Sequence, residues 1–148
     1  MSSGALLETL RVQEGILREL WEVTIRQREA LKGERLSALQ DQMRELQHLS
    51  VRAQAAEVKR GRLARDLAEE LGCDAVLTEI CAHLPQEEAR SLEEAGADLL
   101  GAVGLLRAEM KLLGILMEES RTLNEMMLGE WRRLAEIPMG SGGFDTRI

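Results

Sequence analysis

Residues 86–136 read QEEARSLEEAGADLLGAVGLLRAEMKLLGILMEESRTLNEMMLGEWRRLAE. Within them Leu92, Gly96, Leu99, Val103, Leu106, Met110, Leu113, Met117, Ser120, Asn124, Met127, Trp131 and Leu134 recur in an unbroken alternation of fours and threes. That spacing keeps one stripe of a helix against a core, and over roughly six heptads it has the grade of a coiled coil. The pattern predicts one long helix from Gln86 to about Glu136.

Working back from it, Pro85 interrupts, and a short helix holding Val76, Leu77, Ile80, Cys81 and Leu84 precedes it, with Asp74 as its expected cap. Gly72 is the expected stop for a longer segment from about Glu34, in which Leu36, Leu39, Met43 and Leu46 keep the three-four spacing and Leu63, Leu67 and Leu71 resume it. Between these runs the core positions would fall to Ser50, Ala53, Ala56 and Arg60, a stretch with little apolar material. The first segment, about Ala5 to Lys32, aligns Leu6, Leu10, Leu17, Leu20, Trp21, Thr24 and Leu31, and Lys32-Gly33-Glu34 ends it.

The fold class this predicts is all-α: an antiparallel bundle of three long helices of unequal length with one short connecting helix, coiled-coil-like. Lengths of roughly 40, 57 and 75 Å follow for the three long helices at ~1.5 Å per residue. The first would then cover about half of a hairpin made by the other two. Residues 50–70 and 86–105 would form the uncovered half, where Ala53, Ala55, Ala56, Gly96, Gly101 and Gly104 would let two helices approach closely. Residues 1–137 read as a single helical domain and 138–148, rich in glycine, as a flexible C-terminal tail.

Composition agrees with this class. The chain has 148 residues, 45% hydrophobic and 30% charged, enough to bury a core. Trp21, Trp131 and Phe144 are its only aromatics and Pro85 and Pro138 its only prolines, which leaves little material for strands and turns. A net charge of −7 has the wrong sign for nucleic acid. Arg52, Lys59, Arg60, Arg62 and Arg65 against Glu57 and Asp66 make a local +3, five cations against two carboxylates, which reads as a solvated helix face. Cys73 and Cys81, eight apart, would stand about 12 Å from each other on one helix, beyond disulfide reach, so reduced thiols in a cytosolic protein are expected. The N-terminus lacks the basic and apolar regions of a secretory signal. The most apolar window, 99–117, carries Arg107, Glu109 and Lys111, so no integral membrane segment is expected.

Little in the chain suggests catalysis. His48 and His83 sit in no nucleophile or metal motif, Cys73, Cys81 and His83 match no zinc spacing, and no glycine-rich loop joins a strand to a helix. No enzyme activity, metal or cofactor is expected. Gly15, Gly61, Gly96, Gly101, Gly104, Gly114 and Gly129 fall inside helices at about 1 kcal/mol each against alanine, either for close packing or to let the bundle open. Asn124 and Ser120 take core positions, as register-setting polar groups or as an amide kept open for a partner. Met110, Met117, Met126, Met127 and Met139 gather in the last 39 residues, and methionine suits adaptable surfaces. Leu105, Leu112, Leu116, Leu123 and Met126 add a second apolar row beside the core stripe. Either the last helix lies between the first two, or this row docks another protein.

These residues together resemble a FlgN-type flagellar type III export chaperone. The likeness rests on the leucine-rich first helix, the break at Ala30-Leu31-Lys32-Gly33-Glu34-Arg35-Leu36, the basic second helix through Glu57-Val58-Lys59-Arg60-Gly61-Arg62-Leu63, and the last helix bearing Leu123-Asn124-Glu125-Met126-Met127-Leu128. The resemblance implies a cytoplasmic, non-enzymatic protein that binds hook-filament junction (hook-associated) proteins before secretion and hands them to the export gate or ATPase complex, as a monomer or weak dimer. It places client binding at Leu123, Asn124, Met127, Leu128, Trp131 and Leu134, which Met126 joins from the second apolar row. Gate contact is expected through a C-terminal aromatic. The chain has no tyrosine, so Trp131 and Phe144 are the aromatics available. A structural coiled-coil adaptor or stalk component of the export machinery is the alternative that the same pattern allows.

Overall fold

The computed structural model describes residues 2–119, together with 132 and 133. Among the described residues the chain is helical with no strand: α1 (Ser2–Lys32), α2 (Leu36–Leu71), α3 (Leu77–Ala82) and α4 (Gln86–Glu119). The breaks are tight and chemically explicit. At the end of α2, Gly72 adopts φ 73°, its N–H reaches the Glu69 carbonyl (3.3 Å) and the Cys73 N–H reaches that of Ala68 (3.0 Å). This is a Schellman motif, which satisfies carbonyls that the helix end leaves open. The α1 end repeats it with Glu34, not Gly33, in the left-handed position (φ 54°), while the Arg35 N–H donates to Ala30 O (3.0 Å) and the Glu34 N–H to Leu31 O (3.2 Å). Asp74 does not cap α3. The helix starts two residues later, at Leu77, with Val76 in the cap position, and Asp74 instead gives its backbone N–H to the Glu79 carboxylate (3.0 Å).

Cross-helix polar contacts fix the directions. Gln13 to Glu57 (2.7 Å), Arg52 to Glu19 (3.4 Å) and Arg26 to Glu45 (3.3 Å) run in antiparallel register between α1 and α2. Ser3 to Glu88, Arg11 to Asp98 (2.7 Å) and Arg28 to Glu109 (3.0 Å) run in parallel register between α1 and α4. The exposed pairs contribute little energy each, so they report the register more than they create it.

The helix at the centre is α1. It packs along both α2 and α4, while α2 and α4 make no extended backbone approach to one another. The physical reason is the width of its apolar arc. Leu6, Leu10, Gln13, Leu17, Leu20, Thr24, Gln27 and Leu31 are buried at three-four spacing, and Thr9, Ile16, Val23 and Ala30, seven apart, are buried beside them. A double row along its whole length covers two long neighbours; α2 buries a single stripe, and α4 adds only Ala95 and Ala102 beside its own, at the end where α3 also packs. This corrects the expectation that the first helix covers only half of the bundle. Its start is level with Glu88, and its end joins Ala30 and Leu31 to Leu39, Leu113 and Met117 in one cluster. Residues 50–70 and 86–105 are therefore not an uncovered half: Ala53, Leu67, Leu92, Ala95 and Leu99 share the main core with Leu6, Leu10 and Leu17. Nor do small residues bring α2 against α4, since Ala55, Gly101 and Gly104 are exposed. The short α3 closes one end with Leu77, Ile80 and Cys81, mainly against α4.

The apolar-poor middle of α2 is resolved by a polar layer. Ala53 is buried, Ser50 returns its hydroxyl to Leu46 O (2.7 Å), and Arg60 pairs with Glu57, both largely buried, while the buried Gln13 donates to the same carboxylate. The Gln13 amide oxygen has no partner, nor do those of Gln27 and Gln42 on the facing helices α1 and α2.

Candidate partner-binding surface

All eight described core positions of the last-helix repeat are buried: Leu92, Gly96, Leu99, Val103, Leu106, Met110, Leu113 and Met117. The opposite face of α4 is the one to consider for binding. From Ala97 through Gly101, Gly104, Leu105, Ala108, Leu112 and Ile115, steps of one, three and four keep residues on the side away from that core, and every one of them is exposed. Leu105 is 42% exposed, and Leu112 and Ile115 are each 50% exposed. No charge interrupts this strip between Gly101 and Leu116; Arg107 and Lys111 lie along one edge and Glu109, held by Arg28, along the other.

The second apolar row read from the sequence is thus open where it can be followed. Leu105 and Leu112 face outward, and Ile115, which the row did not include, joins them. Leu116 turns partly inward against the cluster of Leu31, Leu39 and Met117. Because α1 and not α4 is central, the row has no helix of the bundle to cover it among the described residues. Met110 and Met117 behave otherwise than surface methionines: both are buried and fill the core. The residues expected to hold a client, Leu123, Asn124, Met126, Met127, Leu128, Trp131 and Leu134, lie outside the described residues, as do Ser120, Phe144 and the 138–148 tail.

The helical glycines of this face are not there for close packing. A Cβ added at Gly101 or Gly104 would meet nothing within 4 Å, and the same holds for Gly15 on α1. An open strip of small residues between leucines lets another helix come near without a side chain in the way.

Elsewhere the described residues offer little chemistry. They hold no group of three histidine, cysteine or carboxylate side chains fit for a metal, so Cys73, Cys81 and His83 do not converge. Burial, helped by the Glu93 carboxylate, pushes the Cys81 thiol up to about 11, which suppresses its thiolate. His83 Nδ1 lies 2.9 Å from Glu79 O. No described helix is long and apolar enough to cross a membrane. Sequence reading passed over the Gln13–Glu57–Arg60 layer, although Gln13 falls on the three-four series of α1 between Leu10 and Leu17, where a polar residue signals a partner across the interface.

Comparison with protein families matches a model described as FlgN protein to residues 1–135. Comparisons with curated proteins and with solved structures give no match.

Proposed function

The chain belongs to the FlgN family of flagellar export chaperones, and on that premise we propose that it holds hook-associated proteins in the cytoplasm before secretion and delivers them to the export gate. The observation that supports this reading is the uncovered outer face of α4, free of charge from Gly101 to Leu116 and ended by the exposed Glu119, which the expected client-binding residues follow in sequence. Its clients are amphipathic helices that would self-associate too early if left uncovered. Docking them on this face is a helix-on-helix contact that uses apolar residues at three-four spacing.

Magnitudes say how far the contact extends. Full burial of a leucine is worth roughly 1.5–3 kcal/mol, so half-exposed Leu105, Leu112 and Ile115 offer about 1 kcal/mol each. A micromolar complex needs about 8 kcal/mol. The remainder comes from further along the chain, where Leu123, Met126, Met127, Leu128, Trp131 and Leu134 follow α4 in sequence, with Asn124 supplying a polar contact among them. Adaptable methionines there accept clients of different shape.

The test is a calorimetric titration of the purified protein against the hook-associated proteins of its own source. Truncation after Ser120, and Met127→Glu with Trp131→Ala, are expected to abolish binding with helix content of the bundle nearly intact. Binding that survives both removes the client site from this part of the chain. No binding by the full chain, together with self-association in light scattering, transfers the function to a structural coiled-coil adaptor of the export machinery.

A further inference from the structure

A second unoccupied surface lies on the other side of α1 from the α4 face. Between α1 and α2 a groove of about 280 Å³ has an apolar floor of Val12, Ile16, Ala55 and Ala56, with Thr9 beneath it. Arg52 and Lys59 form its α2 wall, and Glu8 stands at the α1 edge as its one carboxylate. Val12 is 48% exposed, and Val51 and Val58 on the adjoining face of α2 are each 67% exposed.

Charge is segregated on this face. From Gln47 to Arg65 the sequence has a single acidic residue, Glu57, and its carboxylate is turned inward to Arg60 and Gln13. The exposed side of α2 over the same span carries Arg52, Lys59, Arg62 and Arg65, and the exposed Asp66, seven residues beyond Lys59, ends the run. Of these, Arg52 reaches the half-exposed Glu19 at 3.4 Å. On a chain of net charge −7 the result is a cationic strip bordering an apolar groove.

We propose that this groove is a second docking site, which takes an acidic amphipathic helix of a partner protein. Apolar residues at three-four spacing would seat on Val12, Ile16 and Ala55, and flanking carboxylates would meet Arg52 and Lys59. Charge complementarity selects the acidic partner. Nucleic acid is disfavoured because the floor is aliphatic, no aromatic is present for base stacking, and the net charge of the whole repels a phosphate backbone. The site is independent of the client reading: it uses no residue of the outer α4 face, and both surfaces can be engaged together.

The test uses the full chain and three probes. One is a fluorescent model peptide with leucine at i, i+3, i+4 and i+7 and glutamate at most other positions; the others are the same peptide with lysine for glutamate, and a duplex DNA oligonucleotide. The glutamate peptide is expected to bind, to weaken as salt rises, and to bind about tenfold or more weakly to Arg52→Glu with Lys59→Glu. Ala55→Glu, which places a carboxylate on the exposed floor, is expected to do the same, with unchanged circular dichroism for all variants. Leu112→Glu on α4 is expected to leave the affinity unchanged. The proposal is overturned if the lysine peptide or the DNA binds as tightly, if the glutamate peptide does not bind, if the groove variants bind it as well as the parent, or if Leu112→Glu removes the binding.

Discussion

Replacing Gly15, Gly101 and Gly104 with alanine is expected to stabilise the bundle without making or breaking a contact. All three are exposed in helix interiors, and an added Cβ meets nothing within 4 Å at any of them. Only the backbone term is left, about 0.8–1 kcal/mol per site. Because an added Cβ meets nothing at any of the three, the backbone terms sum to about 2.5–3 kcal/mol. For a chain of this length that raises the melting temperature by roughly 5–10 °C. Urea unfolding followed by circular dichroism measures it, with the slope against urea unchanged because the buried surface is the same. An unchanged or lower midpoint refutes the reasoning, since the added methyl groups would then meet something that covers these faces in solution. A higher midpoint joined to weaker client binding by the Gly101→Ala, Gly104→Ala pair identifies the α4 glycines as kept for a partner's approach.

Glu57→Ala is expected to lower stability by about 3 kcal/mol in urea unfolding, because it leaves the Arg60 guanidinium and the Gln13 amide largely buried without their acceptor, whereas Glu57→Leu with Arg60→Leu recovers most of the loss. A double variant no better than the single one would contradict this. The Cys81 thiol keeps its proton in the folded protein up to about pH 11, against an ordinary 9.0. The stability this contributes is complete below pH 9 and lost as pH rises toward 11, so the urea midpoint of the parent should fall more steeply over that range than that of Cys81→Ala. Parallel curves would show that burial does not raise the thiol.

The sequence carried the helical architecture because its signals are local. Gly72 stops α2 where a left-handed residue is needed, and the alternation from Leu92 to Met117 is buried at every step. What it did not deliver was the order in space. Helix lengths suggested that α2 and α4 form the main hairpin, but arc width decides which helix is central, and Thr9, Ile16, Val23 and Ala30 are a second row that a search for one stripe passes by. Gln13 and Gln27 hid the regularity of the first row, because a polar side chain at a core position reads as a gap. The α4 side of the candidate site was legible as Leu105 and Leu112, whose leucines have no place on a stripe already complete. Ile115 was missed and Leu116 overvalued, since one 100° step separates exposure from contact with Leu39 and Met117.

The central place of α1 also sets an order of assembly during synthesis. Its partners in α2 lie across a three-residue turn, so the α1–α2 hairpin can close as soon as both are made. Its partners in α4 are more than 80 residues away in sequence, as between Arg11 and Asp98. Until the ribosome has made residues 86–119, the α4-facing side of α1, with Leu10, Leu17 and Trp21, stays open to other apolar surfaces. A chaperone built in this way spends the first part of its own life with the kind of exposed face that the function proposed for it would shield in others.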